Sequence, residues 1–248
     1  METINKQLTY TIILPAHNEE DTVGIVLDAA LGTDTTEILV IDDGSTDSTA
    51  NIVKERVMQD ARVRLISHDI NLGVGCARKR GIQEATTPLV LFFDTDVSTA
   101  TTEQFQQIID PLVSDTVDFV VGGFESFGRV TELFAKPLLR YFVPALSTIT
   151  QPLSGLFGAR KEFLFTESIA DGHAICGILL DAYFAGARIT EVNIGKIIHD
   201  KRPNEQKIEQ AQSECEILFK KLIEHDILSI RDVRSIKDER MPAFCYGF

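Results

Sequence analysis

The chain reads as an α/β protein built on a mostly parallel sheet with helices on both faces. Over the first hundred residues, strand-like and helix-like stretches alternate, the pattern that lays successive strands parallel through helical crossovers. The strand-like stretches are continuous apolar runs, such as T-Y-T-I-I-L at 9–14 and L-V-L-F-F at 89–93. An alternating pattern would mean one wet face, so continuous runs mean a sheet covered on both. Each run also ends in a polar loop, and ligands of such sheets bind beyond the carboxyl ends of the strands.

The elements follow in order. Residues 9–14 form the first strand, which Pro15 ends; Ala16, His17, Asn18 and Glu19 make the loop after it. Asp21 is placed to cap a helix carrying Val23, Val26, Leu27 and Ala30 at helical spacing. The second strand, 37–41, runs into an acidic turn of Asp42, Asp43, Gly44, Ser45, Thr46 and Asp47. Asp47 or Ser48 caps the next helix, with Ala50, Ile52, Val53 and Val57 turned inward. The third strand is 63–67, and Asn71, Leu72, Gly73, Val74 and Gly75 open a helix through Cys76, Ala77, Gly81 and Ile82. The fourth strand ends at Asp94.

The second half is less regular. It reads as a helix at 102–112, a strand at 119–124, a helix at 131–141 and a loop at 151–155 leading into a strand at 156–159. A helix with Ile178, Leu179, Ala182 and Tyr183 follows, then an extended apolar stretch at 189–198 ending at His199. Asn204 caps a long helix through Phe219 and Ile223. We expect one domain over 1–225, with halves at about 8–96 and 97–225, and a charged C-terminal tail at 226–248.

Composition narrows the function. With 248 residues and 44% hydrophobic content, the chain can bury one substantial core. A formal charge of −13 disfavours a nucleic-acid binder, which needs a basic footprint. An anionic substrate would need a local basic pocket against that field. The four cysteines have no C-x-x-C spacing and read as inert thiols of a reducing cytoplasm. No secretory pattern opens the chain, and no apolar run reaches the about 18 residues that span a bilayer, so no stable membrane insertion is expected.

The chemistry gathers at Asp94, Thr95 and Asp96. A buried strand that ends in carboxylates needs a cation to meet them. In extended chain, side chains at i and i+2 point the same way, so Asp94 and Asp96 can face one spot. A hard divalent cation, Mg²⁺ or Mn²⁺, fits, because it takes carboxylate oxygens and shares its shell with substrate phosphates. The alternative is an acidic turn without a ligand.

Taken together, Leu14-Pro15-Ala16-His17-Asn18-Glu19, Val40-Ile41-Asp42-Asp43-Gly44-Ser45-Thr46-Asp47, Asn71-Leu72-Gly73 and Asp94-Thr95-Asp96 resemble a family-2-type glycosyltransferase of the GT-A fold, a Rossmann-like sheet with helices on both faces. The second half resembles the glucosyl-3-phosphoglycerate synthase branch. That likeness is carried by Gly128-Arg129-Val130-Thr131-Glu132-Leu133, Gln151-Pro152-Leu153-Ser154-Gly155, Val192-Asn193-Ile194-Gly195, His199 and Arg202-Pro203. It implies transfer of a sugar from a nucleotide-sugar, UDP-glucose favoured, to 3-phosphoglycerate with retention, using Mg²⁺ or Mn²⁺, in a homodimer.

The resemblance also assigns residues. Pro15, Ala16, His17, Glu19, Asp42, Asp43, Gly73, Asp94 and Thr95 are implied to line the donor nucleotide site. Asp96 and His199 are implied metal ligands, and the backbone at Leu153 faces the acceptor. Gly128, Arg129 and Thr131 are implied to clamp the acceptor phosphate, since the planar guanidinium gives two parallel hydrogen bonds. Lys201 and Arg202 add positive charge there, supplying the basic pocket an anionic acceptor demands. The chain departs from the branch at Val74 and Lys201, and at Gly172 and Ile175, where the branch carries sugar-contacting Tyr and Glu. Ile175 cannot accept hydroxyl hydrogen bonds, so the sugar pocket differs; His173 is a partial substitute.

Three other readings compete. A polyprenyl-phosphate glycosyltransferase would want a membrane-seeking helix, which is not visible. A processive polysaccharide synthase carries a Q-x-x-R-W motif, and this chain contains no Trp. A non-catalytic nucleotide-sugar binder is motivated by the altered sugar pocket.

Overall fold

Tyr10–Ala16 (β1) is buried at every position, and so are Glu37–Asp42 (β2) and Leu89–Phe92 (β4). Such strands belong in the middle of a sheet, and they are found there. The computed structural model describes residues 8–125, 128–169, 175–199 and 204–229. Its strands also include Val63–Ser67 (β3), Phe119–Gly123 (β5), Phe157–Arg160 (β6) and Ile189–Asn193 (β7). They make one seven-stranded sheet in the order β3-β2-β1-β4-β6-β5-β7. All neighbours pair parallel except β6, which runs antiparallel to both β4 and β5.

The helices are Val23–Leu31 (α1), Thr49–Gln59 (α2), Val74–Glu84 (α3), Thr102–Val113 (α4), Lys136–Phe142 (α5), Ile175–Phe184 (α6) and Asn204–Glu224 (α7). They cover both faces. Ile12, Leu14, Ile38, Val40, Leu89 and Leu91 point into one core with residues of α1 and α4; Ile13, Leu39, Ile41, Val90 and Phe92 point into the other with residues of α3, α6 and α7. Alternate side chains therefore meet different cores, which is why the strands are apolar throughout. Phe92, Phe119 and Phe157 stack across neighbouring strands, with centroids 4.7 and 5.2 Å apart. Each large apolar side chain so buried contributes about 1.5–3 kcal/mol.

Several expected elements differ in detail. Asp21 does not cap α1: Thr22 stands at the cap, and the carbonyl of Glu19 accepts the N–H groups of Thr22 and Val23. Asp47 holds the start of α2, one oxygen accepting the Thr49 N–H and the other the Glu20 N–H. The helix expected at 131–141 opens with a wide π-type turn over Thr131–Ala135. The extended stretch expected over 189–198 stops as strand at Asn193, whose side chain accepts the Gly195 N–H while Gly195 takes φ +79°. The chain then turns toward the segment after β4, where the Ser98 N–H donates to the Ile198 carbonyl and His199 bridges to Val97. Among the described residues, no helix is long and apolar enough to cross a membrane.

Candidate active site

The loops that leave the carboxyl ends of β1, β2 and β4 are stitched to one another. Ala16 stands opposite Asp42 in the sheet, and its carbonyl accepts the Asp43 N–H at 2.8 Å. The Thr95 hydroxyl, buried, donates to the Pro15 carbonyl at 2.7 Å. His17 Nδ1 donates to the Asp43 carbonyl at 2.8 Å, which fixes the proton on that nitrogen. Glu19 accepts the Thr22 hydroxyl, and its own N–H donates to Thr49. The loops after β1, β2 and β4 are thus held against one another at the carboxyl edge of the sheet.

The two carboxylates of the acidic turn have different jobs. Asp42 Oδ1 accepts the Ser45 N–H and holds the turn closed. Asp43 braces the 71–73 loop from inside: Oδ1 accepts His68 Nδ1 at 2.7 Å and the Leu72 N–H at 3.0 Å, and Oδ2 accepts the Gly73 N–H at 2.8 Å. Gly44, at φ +70°, lets the two loops touch, since a Cβ there would sit 2.5 Å from the Ile70 backbone.

Beyond β4, Asp94 and Asp96 are held in separate surroundings. Asp94 Oδ1 accepts Arg78 Nη2 at 3.0 Å. The guanidinium is almost wholly buried, while Asp94 keeps a side-chain exposure of 21%. Gly155 presses on the same carboxylate; a Cβ on it would stand 2.0 Å from Asp94 Oδ2. Asp96 is buried and lies 3.1 Å from His199 Nδ1, whose side chain is 31% exposed. A carboxylate oxygen beside an imidazole nitrogen is a donor set that suits Mn²⁺, and Mg²⁺ on the oxygen side. Among the described residues no third His, Cys, Asp or Glu joins them as a metal cluster, so a bound divalent ion would take its other ligands from a substrate or water. The residues present fit such an ion.

The 150–155 loop is tied to β5 and β7. Glu191 of β7 accepts the N–H groups of Thr150 and Gln151 and the Thr150 hydroxyl. Gln151 Nε2 donates to the Phe124 carbonyl, and the Ser154 hydroxyl donates to Gly122. The Phe124 ring in turn lies 5.4 Å from the His199 ring. Leu153 is therefore carried on a loop fixed to β5, to β7 and, through Gly155, to Asp94.

Gly128 and Arg129 are exposed at the start of the helix that follows β5, with Thr131 buried one turn in. Glu132 pairs with Lys136 at 2.7 Å, so it is not the partner that holds Arg129 in place. Lys201 and Arg202, and the altered pocket positions Gly172 and His173, lie outside the described residues. Ile175 is buried at the first position of α6.

Sequence reasoning missed Arg78 and Glu214. The signal for Arg78 was present: it sits on the same helix face as Gly81 and Ile82, a basic residue inside an apolar stripe. For Glu214 it was of the same kind, since Glu214, Leu218, Lys221 and Leu222 are the buried face of α7.

Comparison with known proteins agrees with this architecture. The model of Glycosyl transferase family 2 matches residues 11–184. Glucosyl-3-phosphoglycerate synthase of Mycolicibacterium smegmatis is 31% identical over 229 residues, covering 82% of this chain and 74% of that protein. The enzyme of the same name from Petrotoga mobilis is 27% identical over 249 residues, covering 89% of this chain and 75% of that one. A crystal structure of glucosyl-3-phosphoglycerate synthase from Mycobacterium tuberculosis, in complex with Mn²⁺, UDP-glucose and phosphoglyceric acid, matches with a TM-score of 0.78 at 28% identity, covering 90% of this chain and 81% of that chain. With its sheet order, its stitched strand-end loops and the matched family model together, the chain belongs to glycosyl transferase family 2 and is a glycosyltransferase of the GT-A fold.

Proposed function

We propose that this glycosyltransferase moves glucose from UDP-glucose to a small phosphorylated acceptor of the 3-phosphoglycerate type, with retention at the anomeric carbon and dependence on Mn²⁺ or Mg²⁺, as a homodimer. The observation that carries the reading is the pairing of Asp96 with His199 beside Asp94 at the carboxyl edge of the sheet. The relatives' names and the Mn²⁺, UDP-glucose and phosphoglyceric acid of the similar crystal structure support the choice of ligands.

In this reading Asp96 and His199 hold the ion. When bound there, a divalent ion would supply charge that offsets the diphosphate as the glycosidic bond breaks. Pro15, Ala16, His17, Glu19, Asp42 and Thr95 line the nucleoside part, while Asp43 and Gly73 shape it from behind. Asp94 faces the donor between Arg78 and Gly155. Arg129, with Gly128 and Thr131, binds the acceptor phosphate, and Lys201 and Arg202 add positive charge. The loop backbone at Leu153 directs the acceptor hydroxyl at the donor carbon. That hydroxyl oxygen bonds to the anomeric carbon on the face the diphosphate leaves, and its proton passes to the departing diphosphate, so no protein nucleophile is required.

The test is a thermal-shift screen of UDP-, GDP- and ADP-sugars with and without Mn²⁺, followed by turnover with 3-phosphoglycerate. Stabilisation by UDP-glucose only in the presence of the ion, with a glucosylated product of unchanged anomeric configuration, is expected. Absence of turnover with this pair would overturn the substrate assignment; light scattering tests the dimer.

A further inference from the structure

Asp43 is a buried carboxylate, 3% exposed, and it meets donors from one short stretch of chain. Two are the N–H groups of Leu72 and Gly73, in the loop that opens α3. The third is the ring of His68, whose Nδ1 lies 2.7 Å from Oδ1. An ionised carboxylate only accepts, so a proton of the imidazole sits on Nδ1. The sheet sets the place of this ring. His68 follows β3 directly, and its N–H donates to the Asp42 carbonyl at 2.9 Å, one step past the pairing of Asp42 with Ser67.

The backbone of Asp43 is fixed as well. Its N–H donates to the Ala16 carbonyl and its own carbonyl accepts His17 Nδ1, both at 2.8 Å. The carboxylate keeps only its side-chain torsions, and the donors around it decide them. Of these donors His68 alone is a side chain; the other two belong to the loop that is being held. That loop has a competing partner, because Asn71 Oδ1 stands 2.9 Å from the Gly73 N–H, against 2.8 Å for Asp43 Oδ2. Without the imidazole, a buried charge loses one of its donors, and a carboxylate free to turn releases Gly73 to Asn71. The loss travels further. Gly73, at φ +95°, is the residue from which α3 starts, and α3 carries Arg78 to Asp94.

We propose that His68 is a positioning residue for the nucleotide end of the donor: it sets the Asp43 carboxylate, and Asp43 sets the 71–73 loop and the start of α3. This rests on the reading of Asp43 and Gly73 as parts of the donor nucleotide site. His68 acts through Asp43 and not on the ligand. Arg129 and Thr131, read as the acceptor clamp, come from a separate part of the chain, so the effect falls on the donor.

The test measures Kd for UDP in the presence of Mn²⁺ by calorimetry, with donor KM, acceptor KM and kcat from steady-state kinetics; the Kd measurement stands without turnover. His68→Leu keeps bulk and removes the donor. It is expected to raise the Kd for UDP and the donor KM about 10-fold, the worth of one hydrogen bond to a charged group. Acceptor KM and kcat stay within twofold, as for a loss of uniform binding. His68→Asn, whose amide can stand where Nδ1 does, is expected to restore Kd to within twofold of wild type. If His68→Leu does not fold, His68→Gln, whose amide lies one bond further out, takes its place with the same expected loss. A Kd within twofold of wild type in the variant without the donor, an equal loss in His68→Asn, or a fall in kcat with Kd unchanged would each overturn the proposal. Failure of the wild type to bind UDP is a different result: it would sink the donor-site reading itself, and the proposal with it.

Discussion

His199 Nδ1 lies 3.1 Å from Asp96 Oδ1 across a separation of 103 residues. Neither group is brought there by its own element. Asp96 follows β4, and His199 arrives on an irregular run after β7 that pairs with the segment at 97–99.

If this pair holds the ion, Asp96→Ala removes the oxygen that anchors it. At 100 times Kd, UDP-glucose with Mn²⁺ is expected to stabilise the wild type by about 2.7 kcal/mol. In the variant that gain should vanish in a thermal-shift assay, while Tm without ligand changes little. Retention of the ligand-induced shift would remove Asp96 from the metal site.

Arg129 is exposed at the mouth of its helix and Glu132 is engaged elsewhere, so the guanidinium is available to an anion. Arg129→Ala is expected to raise the acceptor KM by about 10–100-fold, the loss of a charge-assisted hydrogen bond worth about 1.5–3 kcal/mol. The donor Kd should stay nearly unchanged. Steady-state kinetics with each substrate varied in turn decide it, and an unaltered acceptor KM would refute the clamp.

Gly155 has no room for a methyl group, because a Cβ would stand 2.0 Å from Asp94 Oδ2. Both the loop and the carboxylate are held by other contacts, so neither can yield freely. Gly155→Ala is expected to lower kcat/KM by about 100-fold, the cost of a displacement near 1 Å at a reacting site. Circular dichroism should show the fold retained; a fully active variant would mean that Asp94 tolerates being moved.

Glu214 also predicts a pH dependence of stability. Burial pushes its carboxyl up to about 7, and the Cys176 N–H, the Arg78 charge and the Ile175 N–H recover only part of that. Between the ordinary glutamate range and 7 the folded state holds a proton that the unfolded state has lost. The contribution is fully present below about pH 4.3 and is lost as pH rises through 7, a change of about 3 kcal/mol. Denaturant unfolding of wild type and Glu214→Gln from pH 5 to 8 is the measurement. The variant should gain on the wild type as pH rises, and parallel curves would contradict the buried-acid assignment.

A contrasting network lies where β5 and β7 begin and the antiparallel β6 ends. Asp118 accepts from Arg160 and from Arg188, and hydrogen bonds from Arg188 hold its carboxyl well below the usual range against the opposing effect of burial. These ions tie the one antiparallel strand to its neighbours, far in sequence from any motif.

Much of the fold was legible in sequence because its signals are local. A continuous apolar run such as 37–41 declares a strand covered twice, and β2 proves buried along its whole length. Motif order also located the polar loops after β1, β2 and β4. Other features were beyond such reading. The antiparallel course of β6, the inward turn of Asp43 onto the 71–73 loop and the end of β7 at Asn193 depend on which way a chain or side chain points.

By itself, then, the sequence determined the alternation of strands and helices, the two-sided burial of the sheet and the chemical types gathered in its loops, because hydrophobic periodicity and turn chemistry act over a few residues. Only the tertiary structure decided that His199 meets Asp96, that Gly155 presses on Asp94, and that Glu214 is buried against the Cys176 N–H. Those are contacts between residues tens to over a hundred positions apart, and packing across separate elements, rather than any local preference, selects them.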